Sequence, residues 1–271
     1  MKAVLSLALI TFKEGIRNRA LFGIALLALF LFGLNITVAG FFMRDIGKVT
    51  VDMNLTALTV AGLLLIFFVG INLIAKDIDR KTIHLVLSKP LSRAQYIWGK
   101  YLGIQLFVTA SLLLLAGLSS LTVVLIRSMY PAYFGGFSWP IFFIAVFFVL
   151  VRFWVLGAVV MFFSSLTTSS LITLIFSLGA YLAGVTIEEV VFYLRTEMAA
   201  QEQLISESLK SFIEGLTWLL PNFSAFDFSL EAAHGLALNS ARLLGVFSYG
   251  VLYSAILLLL ASLIFSRREF N

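Results

Sequence analysis

Cysteine is absent from the 271 residues, which removes disulfides, thiolate metal sites and cysteine nucleophiles and leaves the redox compartment open. Histidine occurs only at His84 and His234, too far apart in the predicted topology to share a metal or catalytic site, so both read as ordinary surface residues. No Gly-x-x-x-x-Gly-Lys-Ser/Thr is present: the pairs Gly47-Lys48 and Gly99-Lys100 are followed by Val49 and Tyr101, so this chain has no such loop to cradle ATP phosphates. No internal repeat and no His-Glu-x-x-His motif is visible either, which disfavours two matched transporter halves and a metalloprotease. Charge is scarce, at 12% of residues, and no polar stretch is long enough to build a second core.

What is present is apolar. Hydrophobic residues make up 61% of the chain, too many for its polar side chains to cover, and mean hydropathy is +1.05, so the solvent must be lipid. The net charge of +5 comes from clusters at the ends of apolar runs, which suits anionic headgroups and implies no nucleic-acid partner. We expect one membrane domain over 1–271, all α-helical.

Runs long enough for a hydrocarbon core about 30 Å thick fall at about 20–43, 55–75, 101–126, 139–163, 171–194 and 243–265. The run Ala3 to Phe12 is too short to cross. It follows Lys2 as a signal peptide would, but Lys13, Glu14, Arg17 and Arg19 come next without a cleavage site, so 1–19 is expected to be retained as an amphipathic elbow on the membrane. Six spans put both termini on one side. A cytoplasmic N-terminus gathers twelve basic residues inside and six outside, with Arg152 left within a span, and the positive-inside rule selects that orientation.

The outer segment 195–240 is acidic. Met198, Leu204, Ile205, Leu209, Phe212, Ile213 and Leu216 recur at helical spacing, predicting a surface helix whose acidic face is solvated. Pro221 interrupts it, Asn222 to Phe228 supply a turn, and a second short helix is expected up to Asn239.

Between the second and third spans, 76–100 forms the one extended cytoplasmic loop. Asp79 can cap a first helix, Pro90 stops it, and Ser92 with Gln95 makes a capping box that opens the third span. Tyr96, Trp98 and Tyr101 follow at the inner headgroup belt.

This loop resembles that of the ABC-2 type permeases of ATP-binding-cassette transporters. The matching residues are Asp77, Asp79, Arg80, Thr82, Leu85, Leu87, Ser88, Pro90, Ser92, Arg93, Gly99 and Lys100, with Lys81 in place of the usual Gly. Phe12 to Arg19, Leu219 to Phe226 and Ser266 to Phe270 extend the likeness end to end, closest to the branch that includes the nitrous-oxide-reductase maturation permease. The resemblance implies an exporter fold of six spans with an elbow helix and short outer-face helices between the fifth and sixth spans. It also implies a homodimer over two copies of a separate ATPase, which binds ATP and Mg, in the cell (inner) membrane. Residues 76–100 would be the coupling helix, and Asp77, Asp79, Arg80, Thr82, Leu85, Ser88, Pro90, Ser92 and Arg93 its docking residues. No cofactor is expected on this chain itself.

Two further groups stand out. Gly179 with Ala183, and Ala180 with Gly184, are small residues four apart on the fifth span; they suit packing within the chain or across the dimer seam, where the resemblance puts the first and fifth spans. Arg152 lies beyond snorkelling reach of either end of its span, so it must face protein, water or substrate, with Glu188 and Glu189 as the nearest plausible counter-ions. It either makes a structural bond or faces an aqueous path that attracts an anion. An ion-coupled carrier acting alone is the competing function, but it should show paired ionisable residues within the spans and internal repeats, and Arg152 is the one clear mid-span charge; an intramembrane enzyme ranks last for want of paired mid-span carboxylates.

Overall fold

The computed structural model describes residues 2–41, 45–74, 92–167, 169–195, 215, 217 and 219–267. Among these every regular element is helical, and six helices are long and apolar enough to cross a membrane. The spans are Arg19–Ala39, Ile46–Ile74, Arg93–Met129, Trp139–Leu166, Ser170–Arg195 and Ser240–Arg267. The chain is a multi-pass membrane protein. The docking residues Asp77, Asp79, Arg80, Thr82, Leu85, Ser88 and Pro90, and the acidic helix expected over 197–214, lie outside the described residues.

The second span differs most from its hydropathy reading, beginning at Ile46 rather than near 55. Lys48, Asp52 and Asn54 depress hydropathy there, yet Ile46, Gly47, Thr50, Val51 and Asn54 form one buried face, so packing rather than apolarity extends the helix. Its C-terminal half contains a π turn, Leu65–Gly70, a local widening that breaks the α register ahead of Asn72 and Leu73.

The fourth span is the hub, its apolar window the most covered of the six. Gly62 lets the second span approach: a Cβ there would lie 2.2 Å from the Phe153 ring. Against the third span the contact is polar. Tyr101 Oη donates to the Trp154 carbonyl, Gln105 Nε2 to the Phe153 carbonyl, and Trp154 Nε1 to Thr109 Oγ1, at 3.1, 3.3 and 3.0 Å. Tyr101, Gln105 and Thr109 recur every four residues and so lie on one face.

At the end of the bundle that holds both termini, helix Lys2–Ile16 packs along the third span through Leu7, Ala8, Thr11 and Gly15. Gly99 and Gly103 form the groove: a Cβ at Gly103 would sit 2.6 Å from the Ala8 carbonyl oxygen, and one at Gly99 2.8 Å from Leu7. Leu5, Leu9 and Ile10 face outward, giving the amphipathic character expected of an elbow. Asn18 Oδ1 then accepts from Ala20 N–H and caps the first span.

At the opposite end, the short helices between the fifth and sixth spans are present, a 3-10 turn at Ser224–Phe226 and an α-helix at Ser229–His234. The latter ends at Gly235, φ +64°, rather than reaching Asn239, because Gly235 turns left-handed against Gly136. These pieces are sunk into the bundle rather than resting on it. Phe223, Phe226 and Phe228 are fully buried, each with its ring against an aromatic ring of a different span, at Tyr181, Tyr249 and Phe148.

Candidate functional site

Three buried phenylalanines within six residues pull 222–229 inward, and Asp227, between two of them, goes with the backbone. The inward path is held by hydrogen bonds as well: Phe223 N–H donates to the Gly184 carbonyl, Ser224 Oγ to the Val185 carbonyl, and Asn222 N–H to Tyr249 Oη. Gly184 is needed for this approach, since a Cβ there would lie 2.1 Å from the Pro221 carbonyl oxygen.

The result is a charged chamber inside the bundle. Arg152, 5% exposed, points its guanidinium at Asp227, with Nη1 and Oδ2 3.8 Å apart, and lies over the Tyr181 ring at 5.6 Å. That carboxylate replaces the expected counter-ions. Glu188 is exposed and accepts instead from Asn222 Nδ2 at 3.2 Å, and Glu189 is exposed near the C-terminal end of the fifth span. The sequence pointed to a partner on a neighbouring span, whereas the carboxylate facing Arg152 in the structure comes from the re-entering segment. The aromatic spacing Phe223, Phe226, Phe228 around Asp227 was the available signal.

A cavity of about 110 Å³ opens beside Arg152, lined by Leu55, Thr56, Thr59 and Val149 and, from the re-entering segment, by Asp227 and Ser229. Asp227 Oδ1 accepts from both the backbone N–H and the hydroxyl of Ser229. Asp52, exposed on the second span, is within electrostatic reach of Asp227. Among the described residues no group of three or more His, Asp or Glu side chains is placed to hold a metal.

The second candidate region is the base of the 76–100 loop. Ser92 and Gln95 form the expected capping box, with both reciprocal bonds made. Arg93 Nη1 donates to the carbonyls of Phe265 and Ser266, tying the loop's exit to the end of the sixth span. Lys100, 3% exposed, donates to the Leu73 carbonyl at 3.0 Å, tying the third span to the second just before the loop begins.

The fifth-span small residues divide. Ala180 and Gly184 face into the chain, whereas a Cβ on Gly179 would meet nothing within 4 Å and Ala183 is half-buried. The tight small-x-x-x-small contact is instead Gly99 with Gly103.

A six-span bundle with an N-terminal helix against the third span, and a capped loop between the second and third, has a counterpart among known families. Residues 5–270 match the family model described as ABC-2 family transporter protein. The chain belongs to that family. Among curated proteins none matches it. ABC-2 membership makes the chain an ABC transporter's membrane subunit, and such subunits generally work with an ABC ATPase rather than catalyse.

Proposed function

We propose that this ABC-2 subunit is the permease of an exporter, that two copies form the substrate path, and that two copies of a separate ATPase dock on residues 76–100. ATP and Mg belong to that ATPase. The loop and both termini then face the cytoplasm across the cell membrane, as the twelve-to-six distribution of basic residues favours.

The observation that carries this reading is the fastening of the loop's base. A loop that only links two helices needs no such bonds; here Lys100 joins the third span to the second, and Arg93 joins the loop's exit to the sixth. Displacing 76–91 therefore moves three spans together. Pairing of two copies is supported by two uncovered apolar faces, Phe22, Leu26 and Phe30 on the first span and Leu171, Ile175 and Leu182 on the fifth, which also carries the open Gly179. Arg152 facing Asp227 is the one observation favouring an ion-coupled carrier, and that reading requires transport in vesicles depleted of ATP.

The test is double charge reversal, Asp77→Lys with Asp79→Lys, in membranes that also hold the ATPase. The reversed chain should insert normally and lose the ATPase. Retention of the ATPase with unchanged transport would contradict docking at this loop.

A further inference from the structure

We propose that the chamber at Arg152 is an oxyanion site, in which Arg152 binds a monoanionic phosphate or carboxylate group and Asp227 is the counter-ion displaced when that group enters. That the bound group belongs to the transported substrate rests on the permease reading above; the binding itself does not.

The guanidinium is the first ground. It carries five N–H donors, and burial without hydrogen bonds is costly for a cation. Among the described residues it makes none: Nε has no partner, and Asp227 Oδ2 at 3.8 Å is beyond hydrogen-bonding distance. The Tyr181 ring offers attraction without accepting those protons in plane. A planar fork held open in this way matches two oxygens of a carboxylate or phosphate.

The cavity is the second. At about 110 Å³ it has room for one phosphate or carboxylate group and no whole amphiphile, so the rest of a ligand must extend beyond it. Thr56 and Thr59 line it, although the Thr59 hydroxyl already donates to the Leu55 carbonyl.

Asp227 is the third. Its side chain is 50% exposed, so it has room to swing away from Arg152, and its Oδ1 is held by Ser229. Asp52, one helical turn before Thr56 on the second span, puts a further carboxylate on this side of the cavity and so disfavours a dianion. A phosphodiester, with one charge, fits better than inorganic phosphate.

The experiment uses the purified full chain without any ATPase, so its failure cannot be confused with failed docking. Native mass spectrometry would count lipid retained after release from phosphatidylcholine nanodiscs with or without phosphatidylglycerol, and thermal unfolding would be followed against inorganic phosphate. Retained phosphatidylglycerol that falls about tenfold in Arg152→Gln, survives in part in Arg152→Lys and rises several-fold in Asp227→Asn is the expected result. A phosphate-dependent shift obeying the same three variants, without lipid retention, would support the site with a free anion as its ligand. Asp227→Asn keeps the test open if Arg152→Gln fails to fold: a merely structural pair predicts lower stability with no gain in binding. No binding of either probe, or binding indifferent to Arg152 and Asp227, overturns the proposal.

Discussion

Lys100 Nζ donates to the carbonyl oxygen of Leu73 across 3.0 Å, so a buried ammonium on the third span grips the second span immediately before the 76–100 loop leaves it. A hydrogen bond to a charged group is worth about 1.5 to 3 kcal/mol, and few groups are so placed to make a loop's displacement felt by two spans at once. Lys100→Met should therefore lower the melting temperature in detergent and weaken the dependence of transport on ATP, while the ATPase still binds. Lys100→Arg should recover part of both. Normal coupling in Lys100→Met would separate this bond from transmission.

The elbow helix is held by absence of side chains. At Gly103 a Cβ would meet the backbone oxygen of Ala8 and the Thr11 side chain, neither of which is a flexible end, whereas at Gly99 its nearest contact is the tip of Leu7, with the Leu7 Cβ behind it at 3.1 Å, so that a shift of a few tenths of an ångström would relieve it. Gly103→Val should cost about 1 to 3 kcal/mol or release the elbow. Hydrogen exchange over 2–16 should accelerate in that variant and change little in Gly99→Ala.

Gly235 has φ +64°, and a Cβ on it would come within 1.8 Å of the Gly136 carbonyl oxygen. Left-handed backbone alone costs a non-glycine residue about 1 to 3 kcal/mol, so Gly235→Ala should destabilise by at least that much. The damage should centre on the re-entering segment, read as faster hydrogen exchange at 222–234 with the third and fourth spans unchanged.

The orientation argued from basic residues has its own test. Single cysteines at Ser88 and Ser266 should resist impermeant reagents applied from outside, and one at Ser206 should label. Ser206 labelling only after the membrane is opened would reverse the position of the segment before the sixth span.

The six spans were legible because each is a run of apolar residues long enough for the bilayer, and hydropathy needs no knowledge of partners. The Ser92–Gln95 box was legible because both its residues are local. Arg152 could be found as a mid-span charge, but its partner could not: Asp227 reaches it only because Phe223, Phe226 and Phe228 bury against three different spans. Gly99 and Gly103 were in plain view four residues apart, yet nothing local says that a helix from the start of the chain fills their groove. The π turn at Leu65–Gly70 likewise depends on how the second span packs, not on its composition.

In the proposed permease ATP hydrolysis belongs to a separate ATPase, and this chain couples to it. Phosphate release from the purified chain in nanodiscs, measured alone and after addition of the ATPase that binds it, separates the two roles. The chain alone should release none, the complex should release phosphate, and the chain's effect on that release should be lost when Asp77 and Asp79 are reversed. Hydrolysis by the isolated chain, or a complex whose activity ignores the reversal, would contradict this division of roles.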